Sequence, residues 1–108
     1  MTLIDVEPVL DFLRSLDPKV RAKVYRGIDL LARHWPLIGE PHVKRVSGTE
    51  GLWELREQHG RIRVRLFFFQ AGKDRLAMVH SYVKKTGKTP PDVLKVAVRK
   101  MKEYQAKE

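Results

Sequence analysis

The sequence predicts an α+β fold: an N-terminal helical hairpin packed on a small antiparallel sheet of three to four strands, closed by a C-terminal helix. Three observations carry this expectation. Apolar residues recur at helical spacing from Val6 to Trp35, alternate with period two between Val43 and Val83, and return to helical spacing after Asp92.

The first segment, Asp5 to Leu16, sets Val6, Val9, Leu10 and Leu13 at helical intervals, with Phe12 and Leu16 widening the stripe. Pro8 falls near its start, where a missing N–H does least harm. Asp17-Pro18 reads as a stop and restart, with Asp17 as N-cap of a second helix. Val20, Val24, Ile28, Leu31 and Trp35 line one face of that helix, and Trp35-Pro36 ends it, because a residue before proline avoids the helical region.

Val43 and Val46 belong to a short first strand ahead of a Ser47–Gly51 turn. Leu52 to Glu57 forms the next strand, with Trp53 and Leu55 on one face and Glu54 and Arg56 on the other. Gln58-His59-Gly60 turns the chain into the strand Arg61 to Gln70, where Ile62, Val64, Leu66 and Phe68 share one face. Ala71–Asp74 is a hairpin turn, Arg75 to Val83 a further strand, and Lys84 to Pro91 a basic loop. The tail then places Val93, Ala97 and Met101 along one helical stripe.

At 108 residues, 43% hydrophobic and 32% charged, the chain fits one domain over 1–108. It contains no cysteine, which excludes disulfides and thiolate metal sites. No apolar run approaches the ~18 residues of a membrane span, and Met1–Asp5 lacks a secretory layout, so a cytoplasmic protein without membrane contact is expected. The net charge is +9, and its distribution is uneven. Residues 1–40 hold six basic and six acidic side chains, whereas residues 41–108 hold sixteen and seven. Phosphate polymers are the commonest acidic partner of so directional a field.

The sharpest feature is Arg61-Ile62-Arg63-Val64-Arg65, which projects three guanidiniums from one sheet face at about 7 Å intervals. Arg56 faces the same way from the neighbouring strand. Like charges this close are costly until an anion completes them, and a guanidinium fork suits phosphate. Edge protection of a strand is the blander explanation, and four arginines exceed what it requires. On this reading Arg65 points outward, and truncating it changes stability by only about ±0.5 kcal/mol. Lys84, Lys85 and Lys88 form a second basic cluster around Gly87. His80 shares a strand face with Leu76, Met78 and Tyr82, and a structural role outweighs that of a general base. No metal-ligand spacing and no serine–histidine–acid layout are present, so neither metal nor cofactor is expected. Glu54 reads as a salt-bridge partner of Arg56 ahead of a proton acceptor.

Taken together, Trp53-Glu54-Leu55-Arg56, the Arg65-Leu66-Phe67-Phe68 strand and the run His80-Ser81-Tyr82-Val83-Lys84-Lys85-Thr86-Gly87-Lys88-Thr89-Pro90 resemble the RelE/ParE superfamily of type II toxin–antitoxin toxins, in its HigB-like, phage-derived branch. The resemblance spans nearly the whole chain, down to Glu103-Tyr104. It implies a ribosome-dependent mRNA endoribonuclease in which the RNA 2′-hydroxyl is the nucleophile and cationic side chains stabilise the transition state. Arg56, Arg65, Lys84 and Lys85 then match the catalytic positions, with Arg61, Arg63, Lys88, His80 and Tyr104 as RNA contacts. The implied partners are a cognate antitoxin, the ribosome and mRNA. Val64 stands where the family pattern has a tyrosine, which removes that ring as a stacking platform. A ParE-like gyrase inhibitor, or a non-catalytic phage-derived domain binding nucleic acid or protein, are the alternatives, since fold alone does not separate them.

Overall fold

The computed structural model, which describes residues 1–85 and 87–108, places the period-two region within a five-stranded mixed sheet. The strands are β1 (Leu3–Asp5), β2 (Val43–Arg45), β3 (Trp53–His59), β4 (Ile62–Gly72) and β5 (Arg75–Lys84). The helices are α1 (Leu10–Ser15), α2 (Pro18–His34) and α3 (Pro91–Ala106). Spatial order in the sheet is β1-β5-β4-β3-β2, antiparallel except for β1, which runs parallel to β5. Thr86, in the basic loop, lies outside the described residues.

Two expectations are corrected here. The first segment is not one half of a helical hairpin: it divides into β1, a 3₁₀ turn at Glu7–Val9 and the six-residue α1. The sheet accordingly has five strands and is not purely antiparallel. Three residues are too few to show a period, and β1 exists because Leu3 and Ile4 lie against Arg75 and Leu76, over seventy residues away in the chain. The restart at Asp17 is as expected. Its side chain accepts a hydrogen bond from the Lys19 backbone N–H at 3.0 Å, and α2 stops one residue before Trp35.

Both sheet faces are covered, but unequally. On one face Val20, Val24, Ile28 and Leu31 of α2, with Val9 and Leu13, bury Leu55, Val64, Leu66, Phe68, Leu76 and Met78. Trp35 seals this layer, edge-on to Trp53 and Phe68, and its indole N–H donates to Gln70 Oε1 at 2.8 Å. On the other face α3 lays Ala97 and Met101 over Phe67, Phe69, Ala77 and Val79. Alternation along β4 therefore puts Arg63 and Arg65 in the same row as Phe67 and Phe69: the phenylalanines lie under α3 and the arginines lie beyond it. Ile62, expected inward, is 42% exposed, because it sits at the β3–β4 turn past the reach of α2.

Gly27 allows α2 to approach β3 closely. A Cβ there would lie 2.1 Å from Glu57 Oε2 and 2.5 Å from Glu57 Cδ. Gly27→Ala gains about 1 kcal/mol of helix propensity, and the atoms it displaces are the end of the flexible Glu57 side chain, which swings aside, so a net change within about 1 kcal/mol is expected in urea unfolding. Adding Glu57→Ala vacates the space. The effect of Gly27→Ala should then be more favourable in the Glu57→Ala background than in the parent protein, and the double-mutant cycle reads that difference directly.

Candidate functional site: a cationic cleft

The half of the second face left open by α3 is a cleft of about 290 Å³. Lys44 and Arg45 of β2, Glu54 and Arg56 of β3, Lys84 of β5, and Lys88 and Thr89 of the following loop line it. Each element delivers its side chain by register. Lys44 pairs with Glu54 across β2–β3, Arg56 with Arg65 across β3–β4, and Arg63 with Lys84 across β4–β5. Five cations thus surround a single carboxylate, so the wall carries a strong positive bias that dissolved anions would relieve.

Glu54 organises the guanidiniums. Its Oε1 lies 3.5 Å from Arg56 Nε and 3.8 Å from Arg65 Nε, and the Glu54 side chain is only 11% exposed. Both contacts are ion pairs longer than a hydrogen bond; the two Nε atoms are buried with no hydrogen-bond partner.

Arg65 is the principal correction to the site expectation. It does not point outward: the residue is 5% exposed, and its Nη1 donates to the backbone carbonyls of Val64 (3.1 Å) and Glu57 (3.5 Å). Burial lowers its pKa below the usual guanidinium value, with Glu54 opposing that shift, and arginine stays charged regardless. The outward assignment failed because period two assigns a face, and what covers that face is decided elsewhere in the chain. Arg56, with a side chain 30% exposed, meets solvent in the cleft together with exposed Arg45.

Lys84 is half-buried beside these arginines. Burial, then Arg65 and Arg56, push its ammonium below the ordinary lysine value, with Glu54 opposing that shift. Arg63 is exposed opposite Lys84, and Lys88 lines the cleft from the loop. The remaining sequence candidates lie apart. Arg61 is exposed in the β3–β4 turn and Lys85 is exposed just after β5. His80 is stacked on Phe67, with Nδ1 3.1 Å from Lys100 Nζ of α3, and burial lowers its pKa, as do Lys100 and Arg99. Tyr104 donates its hydroxyl to Asp5 Oδ2 at 2.6 Å, tying α3 to the end of β1. That hydrogen bond, reinforced by burial, pushes the phenol up to about 12. Both residues serve the α3–sheet interface.

Lys44 and Arg45 were not singled out from the sequence. The basic pair between Val43 and Val46 was the available signal, but its relevance depends on the β2–β3 pairing that sets Lys44 beside Glu54.

Beneath α2, Glu57 is 7% exposed, and burial raises its pKa above 4.5 against the opposing pull of Lys23, His42, Arg26 and Arg65. The folded state therefore binds this proton more tightly than the unfolded chain. Its contribution to stability is largest at low pH and is lost as pH rises from 4.5 through the elevated folded value. Urea midpoints of Glu57→Gln relative to the parent protein should accordingly improve as pH rises from 4 to 8. A difference that is flat across this range would mean that the carboxylate is not held at an elevated pKa.

Among the described residues, no group of three or more His, Asp or Glu side chains is placed to hold a metal ion, and no helix is long and apolar enough to cross a membrane. No curated protein shows a significant match to the chain. A family model described as phage derived protein Gp49-like (DUF891) matches residues 11–102, which include α2, the strands β2 to β5, the whole cleft and most of α3. The chain belongs to the phage-derived, Gp49-like family.

Proposed function

We propose that this protein is the toxin of a toxin–antitoxin pair, an endoribonuclease that cuts mRNA on the ribosome and is held in check by a cognate antitoxin covering the basic face. The observation that carries the reading is the cleft itself, in which Lys44, Arg45, Arg56, Lys84 and Lys88 surround Glu54. Family membership and the HigB-like motif run from His80 to Pro90 support it. In the proposed reaction the RNA 2′-hydroxyl gives up its proton to water as its oxygen attacks the adjacent phosphorus, the bond to the 5′-oxygen breaks as that oxygen takes up a proton, and a 2′,3′-cyclic phosphate and a 5′-hydroxyl result. The nucleophile belongs to the substrate, so the chain supplies charge and proton transfer. Arg56 contacts the phosphoryl oxygens as negative charge builds on them, and buried Arg65 fixes Glu54 and thereby Arg56. Lys84, with its lowered pKa, is the group suited to move a proton at the leaving oxygen. Arg63 and Lys88 hold flanking phosphates, and exposed Lys85 and Arg61 extend the field outward.

Primer extension on transcripts from cells expressing the protein tests the reading. Cuts inside translated frames, absent with Arg56→Ala, are expected. Intact transcripts accompanied by DNA breaks would replace this proposal with gyrase poisoning, and intact transcripts without growth arrest would leave a binding domain.

A further inference from the structure

A second groove, of about 310 Å³, opens along the free edge of β3 where β2 has ended. Its lining combines Lys23 of α2, His42 of the loop before β2, Gln58 of β3, and the same Arg56 and Arg65 that border or support the cleft. The two depressions therefore share Arg56 as a common wall. Arg65 lines the groove with a side chain 6% exposed, and its buried Nε has no hydrogen-bond partner. The carboxylate of Glu57 also belongs to this groove, but it is wedged against the backbone of α2 at Gly27. Cations consequently dominate the open side. Pro41 is the one apolar side chain in the lining.

We infer that this groove is a second subsite for the same RNA strand, in which Lys23 and His42 hold a phosphate flanking the one in the cleft, so that the strand crosses the sheet edge over Arg56. This inference rests on the ribonuclease reading. A single strand bearing one charge per nucleotide suits cations strung along two continuous depressions. A protein segment would instead need apolar anchors, which the lining does not offer.

Salt-dependent binding of RNA oligonucleotides carrying a 2′-O-methyl block throughout, one series of two nucleotides and one of eight, tests it. Lys23→Gln keeps the side-chain stem, and His42→Gln provides an independent second variant outside α2. For the eight-nucleotide RNA, Lys23→Gln should weaken binding several-fold and reduce the slope of log K against log salt by about 0.7, the value for one lost single-strand phosphate contact. Binding of the two-nucleotide RNA should be unchanged. Arg56→Ala should weaken both. If Arg56→Ala weakens both and neither Lys23→Gln nor His42→Gln alters the long RNA, the groove proposal is overturned and the cleft reading stands. If Arg56→Ala alters neither RNA, the cleft reading fails and the extended track fails with it. Loss of oligoglutamate binding in Lys23→Gln with RNA binding intact would reassign the groove to a protein partner and likewise overturn the proposal.

Discussion

Arg65→Ala is expected to lower the unfolding free energy by roughly 3 kcal/mol, and to lose activity as a consequence of lost structure. The side chain is buried, its Nη1 binds two backbone carbonyls, and its Nε faces Glu54 at 3.8 Å. Truncation leaves a void on the second sheet face and removes one of the two guanidiniums that compensate a carboxylate only 11% exposed. The low end of the range for a broken buried pair applies, because Arg56 remains 3.5 Å from the same oxygen. Arg65→Ala combined with Glu54→Ala should recover part of the loss, since no buried charge is then left short of a partner. Urea unfolding of the single and double variants measures this. A midpoint for Arg65→Ala equal to that of the parent protein would return the residue to the outward position that strand alternation alone assigns.

Arg56→Ala should behave in the opposite way: nearly native stability and a large loss of rate. Its side chain is 30% exposed and its ion pair with Glu54 is long, so a stability cost of about 1 kcal/mol or less is expected. Removing a charge aimed at a developing phosphorane costs ~3 kcal/mol in the transition state, or about a hundredfold in cleavage rate. Arg56→Lys should restore only part of that rate, because an ammonium cannot reproduce a bidentate fork. Single-turnover cleavage of ribosome-bound mRNA, with circular dichroism and urea midpoints as fold controls, separates the two effects. Equal rates for Arg56→Ala and the parent protein would move the chemistry out of the cleft.

The contrast between these arginines marks where sequence reasoning reaches and where it stops. Strand alternation correctly assigned Glu54, Arg56, Arg63 and Arg65 to one face, and pairing brings Arg56 beside Arg65 and Arg63 beside Lys84. The side chain's accessibility is a different quantity. On one face of one strand, Arg63 is exposed, Arg65 is buried and Phe67 is covered completely. The difference comes from α3 and the β3 side chains, which reach this row from distant parts of the chain. His80 has a structural setting, but not beside the neighbours that strict alternation gives it: Leu76 and Met78 lie under α2, whereas the register shift between Phe67 and Phe68 turns His80 to the other face, where it stacks on Phe67. The setting of Tyr104 was not legible, because Asp5, its partner, lies 99 positions away.

The sequence by itself determined the α2 and α3 stripes, the three to four strands between Val43 and Val83 and the basic character of the second half, because each rests on local periodicity or on counting charge. It also carried the resemblance on which the functional reading depends. Only the tertiary structure decided that Leu3–Asp5 is a fifth strand, that Lys44 and Arg45 join the cleft, and that Glu54 and Arg65 are buried partners while Arg56 meets solvent. These outcomes depend on long-range register and on which half of a sheet face a helix covers. A three-residue strand has no period of its own, and desolvation of a charge is set by whatever packs over it.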